Sequence, residues 1–161
     1  MKVVEAPLPG ALAAALALNN AAVPAVNALE AAAFSGLCAD GQLRIVDEGN
    51  LLGLCLVLPS GLNYDSLNYR WFTDRYDHFL YVDRVVVSPA AQGRGVGRLL
   101  YQDTLDLARE AGLPRVCSEV NVDPPNPGSM AFHVAMGFTP IHERINPSEG
   151  KTVAMMVHEL A

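Results

Sequence analysis

A valine-rich run followed by a glycine-rich loop constrains the fold of this chain more than any other stretch. Val85–Val87 predict a strand, Ser88-Pro89 predicts a turn, and a helical pattern begins near Val96. The loop between them reads Gln92-Gly93-Arg94-Gly95-Val96-Gly97-Arg98. Its glycines let the backbone come close to a ligand. A helix that starts here directs free N–H groups and the positive end of its dipole at the loop. The stretch therefore predicts a site for a phosphate or pyrophosphate.

The flanking elements place this loop within an α/β fold. A strand over 79–87, a helix over 96–111 and a strand over 115–120 predict a right-handed crossover and parallel pairing. Ligands collect at the C-terminal edge of such a pair. The glycine spacing does not match a dinucleotide fingerprint, and a Walker loop would need Gly-Lys-Ser/Thr. The class of phosphate ligand stays open at this point.

Composition excludes several classes of protein. With 161 residues, 51% of them hydrophobic, the chain predicts a single domain over 1–161. A net charge of −6 argues against nucleic acid as a partner, although Arg94 and Arg98 make the loop locally positive. The histidines lack metal-ligand spacing, so we expect no metal.

Cysteine usage and the N-terminus indicate the compartment. Cys38, Cys55 and Cys117 lie in apolar contexts without a Cys-x-x-Cys pair, which predicts buried free thiols and a cytoplasmic protein. The Ala/Leu run over 11–18 is too short to span a bilayer. A single early positive charge and two prolines before it disfavour a signal peptide, so no membrane association is predicted.

The remaining elements follow from propensity and turn residues. Helices are expected over 11–18 and 24–33, separated by Asn19-Asn20, and a later helix over 129–136. Further strands are expected over 2–5, 43–46, 51–58, 138–144 and 152–160. The segment over 63–77 is rich in aromatic residues without clear periodicity and predicts an irregular loop, which either binds a ligand or packs on the core.

A second block of sequence narrows the choice of ligand. Gln92–Gly97 is similar to the Gln/Arg-x-x-Gly-x-Gly/Ala motif of the GCN5-related N-acetyltransferase (GNAT) superfamily. The block over 126–138 resembles that family's Asn-x-x-Ala-x-x-Phe-Tyr-x-x-x-Gly-Phe motif. The resemblance covers nearly the whole chain and is closest to a subgroup of uncharacterised predicted acetyltransferases. It implies a mixed, mostly antiparallel sheet of about seven strands, with a central splayed parallel pair formed by the fourth and fifth strands and about four flanking helices.

The resemblance also implies a reaction and a binding site. The reaction is transfer of an acetyl group from acetyl-CoA to the amine of a small molecule, amino acid or peptide, by direct attack in a ternary complex. In the family the loop, here Gly93 to Arg98 with Gln92, holds the pyrophosphate. The preceding strand, here Val85, Val86 and Val87, pairs with the pantetheine, which Asn126, Ser129 and Phe132 would border. The alternative is a module that binds or senses acyl-CoA without turnover.

Three residues are candidates for proton transfer. His133 stands where the family often has a tyrosine, so it either protonates the leaving thiolate or only packs against CoA. Glu119 and Asp83 are candidate bases that would draw the amine proton through water, with Glu119 slightly favoured. Each carboxylate could instead form a structural ion pair. For Asp83 and Arg84 the alternative is an ion pair on a solvated face of the sheet.

The acceptor side is predicted from two segments. In this fold the acceptor approaches the first helices and the loop after the third strand. These carry Asn19 and Asn20, whose alternative is a helix cap, and Tyr64, Trp71 and Phe72. Aromatic rings suit an apolar, aromatic or cationic amine. By analogy with relatives, a homodimer could form through the apolar strand over 153–157.

Overall fold

The computed structural model describes residues 1–160 and contains a mixed seven-stranded sheet in the order β1-β2-β3-β4-β5-β7-β6. The strands are β1 (Val4–Glu5), β2 (Gln42–Asp47), β3 (Leu51–Pro59), β4 (Leu80–Val87), β5 (Arg115–Asp123), β6 (Thr139–Asn146) and β7 (Lys151–Glu159). The helices are α1 (Leu12–Ala21), α2 (Ala31–Asp40), α3 (Leu67–Thr73), α4 (Val96–Glu110) and α5 (Pro127–Ala135). The mixed sheet expected from the sequence is confirmed, with five α-helices where about four were expected.

The first of two compact units comprises Met1–Pro59 and Val82–Asp106. Its β2 and β3 form an antiparallel hairpin with Ile45 opposite Leu54, and Leu43, Leu54 and Leu56 are fully buried. A glycine in β3 lets the first turn of α4 approach closely. A Cβ atom on Gly53 would lie 2.7 Å from Cγ1 of Val96. The first turn of α4, which follows the glycine-rich loop, therefore packs directly on the β2–β3 hairpin.

The second unit comprises Ser60–Tyr81 and the chain from Leu107 onward. Here β4 pairs with β5 in parallel at Leu80–Val116 and Tyr81–Cys117, which confirms the predicted parallel pair. Both β5 and β6 pair with β7 in antiparallel fashion. Because β7 has a partner on each side, the strand over 153–157 has no unpaired edge for a second copy. The homodimer expected from its apolar sequence stays a prediction.

Register assigns the side chains of this second unit to two faces. Residues that pair across a ladder point to the same face, so Glu119, Met155 and His142 share one face. Helix α3 covers this face, because the ring of Trp71 stacks on His142 with centroids 5.1 Å apart. The neighbour of Glu119 on β5, Ser118, points to the opposite face, where α5 lies.

The first two helices differ from the sequence prediction. Helix α1 continues through Asn19 and Asn20 to Ala21, and α2 begins at Ala31 rather than Pro24. Side-chain amides explain the difference, since they hold the connecting segment over 22–30 as a loop. Asn19 donates to the carbonyl of Asn27 at 3.1 Å, and Asn20 both donates to and accepts from the backbone of Leu29.

The aromatic segment over 63–77 also differs, because it contains the short helix α3. Ser66 caps this helix by accepting a hydrogen bond from the N–H of Tyr69 at 3.2 Å. Tyr69 and Phe72 are fully buried, and both rings pack against Tyr81. The pattern was too short to show helical periodicity, and tertiary packing of its aromatic side chains stabilises it.

Two further sequence expectations can be compared with the structure. Cys38, Cys55 and Cys117 are buried and free, as predicted, and burial raises the pKa of the Cys38 thiol to about 11. None of the described helices has the length and apolar character needed to cross a membrane.

Candidate functional site

The glycine-rich loop adopts a backbone that only glycine accommodates well. After β4 a 3-10 turn over Pro89–Ala91 leads into the loop, and α4 begins at Val96. Gly93 and Gly95 have φ angles of +79° and +82°, in the left-handed region. No atom lies within 4 Å of the position that a Cβ would take at either residue. One side of the loop is therefore open to a ligand.

Several backbone N–H groups at this loop have no acceptor inside the helix. The bond from Leu99 N–H to Gly95 O, 3.1 Å long, is an i→i−4 bond at the start of α4. The N–H groups of Val96, Gly97 and Arg98 precede it and have no intrahelical acceptor. The first turn of α4 carries no acidic residue, so nothing on the helix offsets its positive end. This geometry suits an anion.

Side chains around the loop hold its shape and adjust its charge. Gln92 donates from Nε2 to the carbonyl of Val87 at 3.3 Å, which ties the loop to the end of β4. Arg94 is 3.0 Å from Glu48 in the β2–β3 turn, and this contact lowers the pKa of the Glu48 carboxyl. Both side chains are largely exposed, so the pair contributes little to stability. Arg98 is exposed.

The side chains of the strand before the loop alternate in burial. Val86 is buried, whereas Val85 and Val87 are half-buried. Alternation leaves Val85 and Val87 on the face opposite Val86. The pairing of Val85, Val86 and Val87 with pantetheine stays a prediction.

On the α3-covered face of β5, Glu119 contacts a tyrosine hydroxyl. Tyr81 donates from its hydroxyl to the Glu119 carboxylate, with distances of 2.8 Å to Oε1 and 2.7 Å to Oε2. Tyr81 is 1% exposed, and Glu119 is half-buried. The candidate base is thus held by a charge-assisted hydrogen bond.

On the opposite face His133 is buried and hydrogen-bonded at both ring nitrogens. Its Nδ1 lies 2.8 Å from the carbonyl oxygen of Ser129, which can only accept, so Nδ1 carries the proton. Its Nε2 then accepts from the hydroxyl of Ser118 at 3.5 Å. Burial lowers the pKa of the imidazole. The neutral ring donates its proton in a hydrogen bond to a backbone carbonyl. This arrangement favours packing against CoA over protonation of the leaving thiolate as the role of His133.

The second candidate base lies in a buried cluster of the first unit. Asp83 is 2.7 Å from its neighbour Arg84, and the two side chains are only 3% and 5% exposed. Arg84 also donates to Oδ1 of Asn19 and to the carbonyl of Asn27. The predicted ion pair is confirmed, but the predicted solvated sheet face is wrong. The cluster instead fastens the segment that follows α1.

The predicted pantetheine contacts lie on and around α5. Asn126 caps this helix by accepting from the N–H of Ser129 at 3.2 Å. Asn126 is exposed, whereas Ser129 and Phe132 are half-buried. The ring of Phe132 meets His133 edge-on with centroids 5.7 Å apart. The capping bond explains the asparagine locally, and its contact with a ligand stays a prediction.

Comparison with known proteins reveals the family. Residues 21–138, more than two thirds of the chain, match the model of the Acetyltransferase (GNAT) family. The chain belongs to the GNAT acetyltransferase family. The resemblance expected from the two sequence blocks is thereby confirmed.

The individual proteins that match this chain either share few identical residues with it or match only a short region. Mycothiol acetyltransferase from Beutenbergia cavernae is 44% identical over 55 residues, which span 34% of this chain and 18% of that protein. The ribosomal-protein-alanine N-acetyltransferase of Brucella melitensis is 20% identical, with a TM-score of 0.77 over 99% of this chain and all of that one. A protein from Salmonella typhimurium, whose structure includes its cofactor acetyl-CoA, is 20% identical with a TM-score of 0.73, covering all of this chain and 94% of that one.

The residues predicted on the acceptor side are mostly engaged within the protein. Phe72 is fully buried, and the amides of Asn19 and Asn20 bond the segment over 22–30. Tyr64 and Trp71 are half-buried. The guanidinium of Arg75 lies 3.6 Å from the centroid of the Trp71 ring. Of the five candidates, Asn20 is exposed and the rings of Tyr64 and Trp71 are half-buried, and their role toward an acceptor stays a prediction.

Sequence reasoning missed the partners of the candidate catalytic residues. Tyr81 was treated only as part of a strand, and Ser118 was not singled out. Strand alternation together with the parallel pair could have placed Tyr81 and Glu119 on one face, but the register of the pair was needed. Within the described residues, no group of three or more His, Cys, Asp and Glu side chains could hold a metal ion.

Proposed function

We propose that this GNAT-family chain transfers an acetyl group from acetyl-CoA to an amine by direct attack. The glycine loop before α4 carries the proposal. Its left-handed Gly93 and Gly95, its open side and the unpaired first-turn N–H groups suit a pyrophosphate. A fold neighbour was solved with acetyl-CoA, which supports this choice of ligand. Val85 and Val87 pair with the pantetheine, and Asn126, Ser129 and Phe132 border it.

Glu119 serves as the base of this reaction. An amine is protonated near neutral pH and must lose a proton before its nitrogen can attack the thioester carbonyl carbon. Glu119 is half-buried and bonded to a hydroxyl, so it can accept a proton directly or through water. Asp83 is a weaker candidate because its carboxylate is 3% exposed and paired with Arg84.

The later steps need a hydrogen-bond donor that stabilises the oxyanion and a proton source for the departing thiolate. A backbone N–H near Val87 stabilises the tetrahedral oxyanion. When the C–S bond breaks, the thiolate takes a proton from water rather than from His133, whose only ring proton faces the Ser129 carbonyl. His133 then supports the packing of α5 on β5. Holding both reactants in place supplies much of the rate.

The acceptor is a small-molecule amine, an amino acid or a peptide N-terminus. The fold neighbours include an enzyme named for ribosomal-protein alanine, so peptide N-termini belong among the candidates. The half-buried rings of Tyr64 and Trp71 favour an acceptor with apolar or cationic character. We further propose that the chain acts as one domain in the cytoplasm, since three buried free thiols fit a reducing compartment.

A panel of amines tests the proposal directly. The full chain is mixed with acetyl-CoA and with amino acids, small amines or short peptides, and release of free CoA thiol is followed over time. We expect release above the amine-free background with at least one amine class. Longer acyl-CoAs in the same assay define the acyl-chain preference. Absence of release with every amine would contradict enzymatic transfer.

The second candidate is a module that binds acyl-CoA without turnover. It is favoured by His133, which replaces the usual tyrosine and whose ring proton is bonded to a backbone carbonyl. Calorimetric titration with acetyl-CoA separates the two functions. Tight binding without thiol release supports the sensor, whereas tight binding with release supports the enzyme.

A further inference from the structure

The contact between Tyr81 and Glu119 has a use beyond holding two strands together. We propose that Tyr81 is a positioning residue, whose hydroxyl orients the Glu119 carboxylate and keeps it ionised until it receives the proton of the acceptor amine. This inference rests on the proposed function, in which Glu119 is the base. Tyr81 itself keeps its proton throughout.

The geometry of the contact is specific. The hydroxyl lies 2.8 Å from one carboxylate oxygen and 2.7 Å from the other, although the two residues are 38 positions apart. An ionised carboxylate only accepts, so the phenol is the donor. Tyr81 pairs with Cys117 in the parallel ladder, and Glu119 lies two residues further along β5 on the same face. Register therefore brings the hydroxyl to the carboxylate.

The ring that carries this hydroxyl is fixed by packing. Tyr81 is 1% exposed, and its ring meets that of Tyr69 edge-on with centroids 5.3 Å apart. Phe72 packs on another side at 6.0 Å. Because these contacts restrict the phenol, the hydrogen bond also restricts the rotamers of the glutamate. A base held in one orientation needs no rearrangement when the acceptor arrives.

Several other charged or titratable groups share this face. The register places these on the same face as Glu119, or on α3 against it: Tyr69, Arg115, Cys117, His142, Arg144, Lys151 and Glu159. Arg115 bonds Glu159 at 3.1 Å, and Arg144 bonds the Asn68 side chain at 2.7 Å. Further along β4, Asp83 is paired with Arg84. Tyr81 is in direct hydrogen-bond contact with the Glu119 carboxylate.

Proton transfer in this arrangement balances without any further reagent. The acceptor ammonium gives one proton to Glu119, and its nitrogen lone pair forms a bond to the thioester carbonyl carbon. The C–S bond breaks, the nitrogen of the tetrahedral intermediate loses its second proton to water, and the thiolate takes up a proton from water. Glu119 returns its proton to solvent, while Tyr81 remains a donor to the regenerated carboxylate.

Replacement of Tyr81 by phenylalanine tests the inference, with Tyr69→Phe as the matched control. Tyr69 is equally buried, and its hydroxyl accepts from the N–H of Leu62. Two quantities are measured in each variant of the full chain. One is the pH profile of kcat/KM with an active amine. The other is the titration of the Glu119 carboxyl carbon by NMR, assigned with Glu119→Gln.

The Tyr81 hydroxyl donates to the ionised form of Glu119, so loss of this hydrogen bond favours the protonated carboxyl group. We expect Tyr81→Phe to move the Glu119 titration and the acid limb of kcat/KM upward by about one pH unit. The dissociation constant for acetyl-CoA should stay within about twofold of wild type, since no proposed CoA contact changes, and Tyr69→Phe should move neither midpoint.

The two measurements also separate failure of the inference from failure of the proposed function. An unmoved Glu119 titration in Tyr81→Phe, or an equal shift in Tyr69→Phe, would overturn the inference even in an active enzyme. A moved titration with an unmoved acid limb would overturn the catalytic use of the contact. Failure of the wild-type chain to release CoA with any amine would overturn the proposed function. In that case, a moved titration would show only a structural hydrogen bond.

Discussion

Replacing Gly95 by alanine tests whether the loop before α4 holds the pyrophosphate of acetyl-CoA. Gly95 has a φ of +82°, and no atom lies within 4 Å of the position of the added Cβ. The substitution therefore strains the backbone without a clash inside the protein. A non-glycine residue in the left-handed region costs about 1–2 kcal/mol. For a chain of this length, that corresponds to a fall in Tm of roughly 3–6 °C.

Gly61→Ala is the matched control for this strain. Gly61 follows β3, has a φ of +87° and also has no atom within 4 Å of its Cβ position. Both variants should lose similar stability, because the backbone penalty is the same. Only Gly95→Ala places a methyl group where the backbone must approach a phosphate. We expect it to weaken acetyl-CoA binding more than tenfold, or about 1.4 kcal/mol, and Gly61→Ala to leave binding within about twofold.

Thermal unfolding and calorimetric titration with acetyl-CoA measure the two effects separately. Equal dissociation constants for Gly95→Ala and wild type would refute the assignment of this loop to the pyrophosphate. Equal losses of affinity in the two alanine variants would instead attribute the effect to general destabilisation. The comparison needs no acceptor amine, so it is independent of substrate identity.

Other substitutions test the remaining assignments. Burial lowers the pKa of His133, so the unfolded chain takes up a proton at a higher pH than the folded chain does. The free energy of unfolding therefore decreases as the pH is lowered past about 6.5, by up to about 1.4 kcal/mol per pH unit. His133→Gln should flatten this decline in chemical denaturation, and an unchanged decline would contradict its assignment to this imidazole. Asp83→Asn leaves Arg84 buried without its charged partner and should lower the free energy of unfolding by about 3 kcal/mol with kcat retained; a kcat loss beyond tenfold would make Asp83 the base. Asn126→Ala should lose about 1 kcal/mol of helix-capping stability, which Asn126→Ser should retain. If the serine variant binds acetyl-CoA as tightly as wild type, Asn126 acts only as a helix cap and does not contact the ligand.

The parts of the fold that sequence predicted well depend on local chemistry. Gly93 and Gly95 are needed for a left-handed backbone, and this need is visible in the sequence before any contact is known. The apolar run over 51–58 and the strand–helix–strand order around α4 likewise follow from periodicity and connection length. These features were sufficient to predict the parallel pair, whereas the anion site stays a prediction.

The errors in element boundaries come from side chains that bond distant backbone. Asn19 and Asn20 normally interrupt helices, yet here their amides bond the segment over 22–30 and remain inside α1. Helix α3 depends on Ser66 as a cap and on burial of Phe72 against other rings. Propensity describes neighbours along the chain, so it could not anticipate either partner.

The sequence by itself determined which residues form the glycine loop and which family the chain belongs to, because both depend on short motifs with fixed spacing. Only the tertiary structure decided the state of the candidate catalytic groups. The Tyr81 hydroxyl holds Glu119, backbone and serine bonds hold His133 in one tautomer, and Asp83 is confined by its buried ion pair. The physical reason is that hydrogen-bond partners and burial, which set protonation and orientation, are properties of residues brought together by register and packing.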